Sequence, residues 1–310
     1  MRIRIVALLV LITGGCNSVW FNNIDRLYQI YPVKSSEKPS YNTADKDKII
    51  MVIFPGDKIK PVNKDESWGE YLVVGKKWAE DPVNTERIDA DTVRLEKYIS
   101  INSIIKHNIF PNQENQIVVT LDICTPHAST GGQYHVAVVT LIQNKGNYEI
   151  YSEYYDVGRT FAPSVAVDID NDGLIEIALF KGQWWGHPWG YKYLNILKGE
   201  NNSLVNILET LIISFNYGGI DDDVGQVNVD YNSIVEIDQN SSVGYCPIIK
   251  TVIEIRHPPM VRAEAEGIWH SIKVIREIFK WNGEKYISSE TQVLLEHKTQ
   301  RDSSEPAEQK

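Results

Sequence analysis

The chain has 310 residues, of which 43% are hydrophobic and 23% charged, a composition that supports one or two globular domains and excludes disorder over most of its length. Its 31 basic and 41 acidic residues give a formal charge of −10. An acidic excess of that size repels phosphate backbones and excludes nucleic acid as the main partner.

At the N-terminus Arg2 and Arg4 precede an apolar run, Ile5 to Ile12, and the small residues Thr13-Gly14-Gly15. That order is expected of a secretory signal peptide over residues 1–15, too short to stay as a spanning helix. Without those residues 29 basic and 41 acidic side chains leave a charge of −12. Gly14, Gly15 and Cys16 resemble the lipobox of bacterial lipoproteins, where small residues precede a cysteine that is diacylated and becomes the first residue. The resemblance implies a membrane anchor through lipid on Cys16 and a bacterial cell-envelope location. Asn17 in place of aspartate favours the outer membrane. The alternative is a plain signal peptide in which Cys16 is incidental.

Residues 16–48 are expected to form a tether, since the stretch Lys34 to Lys48 is polar and contains Pro39. Residues 49–297 are expected to form a β-rich domain. Its first strand is read over Ile49 to Phe54, stopping at Pro55-Gly56-Asp57. Asp91 to His107 is read as a helix capped by Asp91, with a strand pair as the alternative given its β-branched residues. Strands follow at Ile117–Ile123, His135–Ile142, Tyr148–Tyr154, Leu174–Phe180, Tyr191–Leu197, Val227–Ile237, Ile248–Ile255 and Ile272–Trp281, each rich in Val, Ile or Tyr and bounded by Gly, Asn or Asp. Asn144-Lys145-Gly146 and Asn282-Gly283 read as hairpin turns, the second as type I′. The segment Val165-Ala166-Val167-Asp168 leading to Ile175-Glu176-Ile177 is echoed by Val227-Asn228-Val229-Asp230 leading to Val235-Glu236-Ile237. Residues 298–310 carry no apolar side chain larger than alanine and are read as a disordered tail.

The sharpest motif runs from Asp168 to Glu176. Calcium takes six to eight oxygen ligands, and carboxylates at alternate positions converge when the backbone curls around the ion. Asp168, Asp170 and Asp172 occupy positions one, three and five; Gly173 permits the turn at six, and Leu174 offers its carbonyl at seven. An EF-hand would close with glutamate at position twelve, but Leu179 stands there and the acid falls at Glu176, between strand-like flanks. This pattern resembles the calcium loops of FG-GAP and VCBS repeats, the blades of integrin-α-type β-propellers. The resemblance covers Ser164 to Phe180 and implies one structural calcium ion held by Asp168, Asp170, Asp172, Leu174 and Glu176. An acidic turn held by its own Asx hydrogen bonds is the alternative. The expected fold is therefore all-β, an irregular or small, four- to five-bladed propeller-like domain, with a β-sandwich as the alternative.

Immediately beyond lies Gly182-Gln183-Trp184-Trp185-Gly186-His187-Pro188-Trp189-Gly190. Trp184, Trp185 and Trp189 either stack against a glycan or peptide ligand or fill the core. His127, His135 and His187 show no metal-ligand spacing, and no nucleophile elbow, zincin motif or phosphate-cradling glycine loop occurs. Cys124 and Cys246 either form one disulfide or stay as buried thiols. The function these features point to is a lipid-anchored, calcium-stabilised binding or scaffold module with an unidentified protein or glycan ligand. An envelope enzyme acting on polysaccharide or peptide and a purely structural lipoprotein are the rivals.

Overall fold

The computed structural model describes residues 43–63, 69–78, 96–125, 133–184, 189–216, 228–238, 244–257 and 268–300. The expected signal peptide with Cys16, most of the expected tether, Trp185, His127 and His187 lie outside the described residues; of the expected tail, 298–300 end the last strand and 301–310 lie outside them too.

The expected first strand is instead the end of a helix, α1 (Thr43–Ile53). Ile49, Ile50, Ile53 and Phe54 are buried while Met51 is 61% exposed. In a strand Met51 would share a face with Ile49 and Ile53; a period near 3.6 separates them. The expected helix at Asp91–His107 is, where described, a strand, β3 (Glu96–Lys106), its burial alternating through Lys97, Ile99 and Ile101. Neighbours on both sides and a β-branched sequence override the helical spacing.

Strands β1 (Lys58–Pro61), β2 (Tyr71–Val74), β3, β4 (Gln116–Thr125), β5 (Gln133–Asn144) and β6 (Asn147–Val157) form a six-stranded antiparallel meander in chain order. The chain then crosses at Gly158, with φ +125°, into β7 (Arg159–Thr160) and β8 (Val165–Val167). Both pair with β9 (Glu176–Trp184). A second meander continues through β10 (Trp189–Glu200), β11 (Ser203–Asn216), β12 (Asn228–Ile237), β13 (Ile248–His257), β14 (Ile268–Trp281) and β15 (Tyr286–Gln300), making a sheet of nine strands. The protein is thus mostly β, in two antiparallel sheets that do not close. The sheets are not divided into four-stranded blades among the described residues. The proposed echo is no structural repeat: the first copy is strand, loop, strand, and the second is the single strand β12.

Three buried clusters arise from strands that are apolar on both faces. Ile117, Val119, Leu121 and Ile123 of β4, with Ala137, Val139 and Leu141 of β5, pack beneath α1. Val118, Val136 and Val138 point the other way and meet Ile177 and Leu179 of β9, so this cluster joins the two sheets face to face. Ala178 and Phe180 on the far side of β9 pack with Leu194, Ile196, Val235, Ile248, Phe279 and Tyr286. The nine-stranded sheet must therefore curl for its last strands to reach its first.

Polar side chains also cross between the sheets. Asp122 of β4 accepts from the Thr160 amide at 2.8 Å and its hydroxyl at 2.6 Å. Lys181 of β9, its side chain 4% exposed, pairs with Asp156 of β6 at 2.5 Å and Glu209 of β11 at 2.9 Å. At the turns, Lys145 and Gly146 both take positive φ, as do Asn201 and Asn202 between β10 and β11. Asn282-Gly283 departs from the expected type I′ turn, because only Gly283 has positive φ and the Asn282 carboxamide accepts from the amides of Glu284 and Lys285. Among the described residues no helix is long and apolar enough to cross a membrane.

Candidate metal centre

The Asp168–Glu176 loop links β8 to β9 and is pinned at both ends by buried isoleucines. Ile169 is fully buried in the curled-sheet cluster, and Ile175, 1% exposed, sits in the cluster between the sheets. Backbone bonds reinforce these anchors: the Cys246 amide donates to the Ile169 carbonyl and the Ile175 amide to the Asn108 carbonyl, both at 2.9 Å. Between the anchors the chain turns through Asn171 and Gly173, with φ of 59° and 85°. A side chain at Gly173 would meet open space, so the glycine serves the backbone angle and not a close contact.

This turn gathers three of the expected ligands. One carboxylate oxygen from each of Asp168, Asp170 and Asp172 lies within 4.8 Å of the others. The loop supplies some donors of its own: the Gly173 amide to Asp168 Oδ2 at 3.2 Å, the Asp172 amide to Asp170 Oδ1 at 3.3 Å, and the Leu174 amide to Asp172 Oδ1 at 2.8 Å. Asp168 Oδ1 is buried and receives no hydrogen bond. A buried anionic oxygen without a donor is costly. A cation held by the three aspartates would meet that need, and an all-oxygen donor set suits a hard metal ion.

Glu176 behaves differently from the expectation. It is 1% exposed and one of its oxygens accepts from the Ile169 amide at 3.0 Å, bracing the loop from within. Burial pushes its carboxyl up to about 8; Asp170 and Asp172 add to the rise, against the Ile169 amide and Lys198. Asp172 is also raised, first by burial and then by Asp170, against the Leu174 amide. Leu174, half-buried, is held by its amide.

The structure adds residues that sequence spacing did not reveal. Lys198 of β10 reaches Asp170 Oδ2 at 3.2 Å, with the two side chains 17% and 9% exposed. Its ammonium also contacts the Tyr245 hydroxyl and lies 4.5 Å from the Tyr245 ring centre. Tyr245 stacks on Trp281 at 3.9 Å, and the Tyr286 hydroxyl donates to the Cys246 carbonyl at 2.9 Å. Asn171 approaches the Cys246 sulfur at 3.6 Å. An internal cation thus already faces one of the three aspartates.

Of the other expected site residues, Cys246 reaches this centre, through its amide and its sulfur. Trp184 ends β9 and Trp189 opens β10; their backbones pair with Gly190 and Asn216. Cys124 lies in β4 and Cys246 beside the metal loop. Both are buried free thiols, so the disulfide is not formed. Burial raises the Cys124 thiol to about 11, against smaller opposing effects of Tyr134 and Arg159. No protein-family model, curated protein or solved structure matches the chain.

Proposed function

We propose that the chain is a lipid-anchored protein of the bacterial cell envelope whose β domain is a binding or scaffold module stabilised by one calcium ion. The observation that carries the calcium reading is the convergence of Asp168, Asp170 and Asp172 around a buried Asp168 oxygen that lacks a donor. The three carboxylates would hold the ion with the Leu174 carbonyl, and Glu176 would brace the loop. The ion would supply charge neutralisation and cross-linking of the turn, which is a structural role. Of the two finer architectures, the face-to-face cluster between six- and nine-stranded sheets favours the sandwich over propeller blades. The lipid anchor rests on Gly14-Gly15-Cys16. Trp184, Trp185 and Trp189 mark the hairpin at which a protein or glycan ligand would dock.

The deciding experiment is thermal melting of metal-free protein with calcium and with chelator. An ion bound only by the folded state adds about 2.7 kcal/mol at one hundred times Kd. Asp170→Ala and Asp172→Ala should lose most of that gain. A melting curve indifferent to calcium would leave an acidic turn held by its own hydrogen bonds. Labelled palmitate should enter the wild type and not Cys16→Ser; no label in the wild type would refute the anchor.

A further inference from the structure

The last strand of the nine-stranded sheet has an open side. Among the described residues β15 pairs with β14 alone. Tyr286, 5% exposed, fixes its start in the core, but residues 287–297 are all exposed. Ile287, Val293, Leu294 and Leu295 are 43, 47, 42 and 40% exposed, four of the nine large apolar side chains left in water among the described residues. The eleven residues 287–297, exposed on both faces, gain little from burial, and the strand's outer row of amides and carbonyls is a template for another strand. Natural edges of this length carry charges or prolines in mid-strand; here the middle is Val293-Leu294-Leu295 and the charges flank it.

The placement of those charges identifies the occupant. Consider two antiparallel copies of β15 related by a two-fold axis at Leu294. Glu290 then falls opposite Lys298 on both sides of the axis, Gln292 opposite Glu296, and Val293 opposite Leu295, with Leu294 against its own copy. No like charges meet. Moving the axis to Val293 sets Glu290 against Glu296, and moving it to Leu295 sets Leu294 against Glu296. One register is therefore favoured over its neighbours by both charge and apolar matching. Leu294 is the extra residue of a bulge against β14, where Val274 faces Leu295 and Ile275 faces Val293. Both copies carry that extra residue at the axis, so their pairing stays one to one.

We propose that β15 is a dimerisation edge through which two copies of the chain pair antiparallel about Leu294, joining their nine-stranded sheets. This does not depend on calcium or on the tryptophan hairpin. The test is sedimentation velocity on the full chain bearing Cys16→Ser, so that lipid cannot associate the copies. A dimer is expected. Lys298→Glu, which sets acid against acid twice, should weaken it about tenfold or more. Combining Glu290→Lys with Lys298→Glu should restore it to near the original constant. As a second readout, Leu294→Cys should form an intermolecular disulfide on mild oxidation, whereas Gln292→Cys should do so only when mixed with Glu296→Cys. A monomer at every concentration would overturn the proposal. So would a dimer indifferent to Lys298→Glu, or one that the paired charge swap fails to rescue.

Discussion

Lys198 allows the calcium reading to be tested by a gain of affinity and not only by its loss. Its ammonium lies 3.2 Å from Asp170 Oδ2 in a site where both side chains are largely shielded. At an effective dielectric constant near 20 the gross attraction at that distance is about 5 kcal/mol. Desolvation of the ammonium offsets much of it, leaving a net hold on the order of 1–3 kcal/mol. A calcium ion entering the loop must displace that hold or share Asp170 with it. Lys198→Met keeps an unbranched stem of similar length against Tyr245 and removes the competitor. Calcium should then bind about 10- to 100-fold more tightly by titration calorimetry. The metal-free variant should be less stable than wild type by about 3 kcal/mol, because Asp170 faces Asp168 and Asp172 without a counter-charge. Chemical denaturation with and without calcium measures both effects, and emission from Trp281, stacked on Tyr245 and 5.9 Å from the ammonium, follows the site. Unchanged or weaker calcium binding in Lys198→Met would refute the competition, since it would place the ion away from Asp170.

Glu176 sets a pH dependence of known sign. Its folded value, about 8, lies above the ordinary 4.5, so between those limits the folded state holds a proton that the unfolded state has lost. Metal-free protein should therefore lose stability on the order of 4 kcal/mol as pH rises from about 4.5 to 8, then level off; Glu176→Gln should flatten that slope, and an unchanged slope in denaturant melts would refute the assignment. Asp122→Ala removes the acceptor for both the amide and the hydroxyl of Thr160 and should cost about 2–3 kcal/mol, measured by denaturation. Asp122→Asn should cost less. Both Cys124 and Cys246 should titrate with Ellman's reagent in denaturant without reductant and react slowly in the native protein; a requirement for reductant would show a bridge.

The parts of the fold that were legible in the sequence are those where pairing is regular. Val118 and Val119 face opposite clusters, so the β-branched residues of β4 are apolar on both faces, and the polar residues bounding the run mark a buried strand of that length. The run at Ile49 is equally apolar and equally short, and nothing local separates a strand from the last turns of a helix there. Strand β11 went unread for a different reason. Between Lys192 and Tyr193 its partner register slips past Ile212, and between Ile196 and Leu197 past Ile207. Each bulge resets the alternation, so Leu204, Ile207, Leu208 and Ile212 take a spacing that imitates a helix. Strand β15 carries the same device at Leu294, and its exposed apolar residues leave no period-two signal to find.

The candidate metal centre was legible to the extent that its three aspartates are neighbours in the chain. Three aspartates at alternate positions with a following glycine specify a curl, and the curl brings their oxygens together whatever surrounds it. Glu176 shows the limit of that argument. The same spacing that offers it as a ligand also makes it the first residue of β9, where alternation decides which way its side chain turns. It turns inward, to the Ile169 amide. Lys198, Tyr245 and Cys246 arrive from β10 and from the segment before β13, so only the curl of the second sheet brings them to the loop. That placement gives the loop its consequence for the whole domain. Ile169 belongs to the cluster inside the curled sheet and Ile175 to the cluster between the sheets. The turn joining them must keep both seated at once, and three carboxylates in mutual repulsion oppose that fit. A cation that draws them together acts on both clusters through two residues six positions apart, which is why its loss should lower the stability of the fold as a unit and not merely loosen a surface turn.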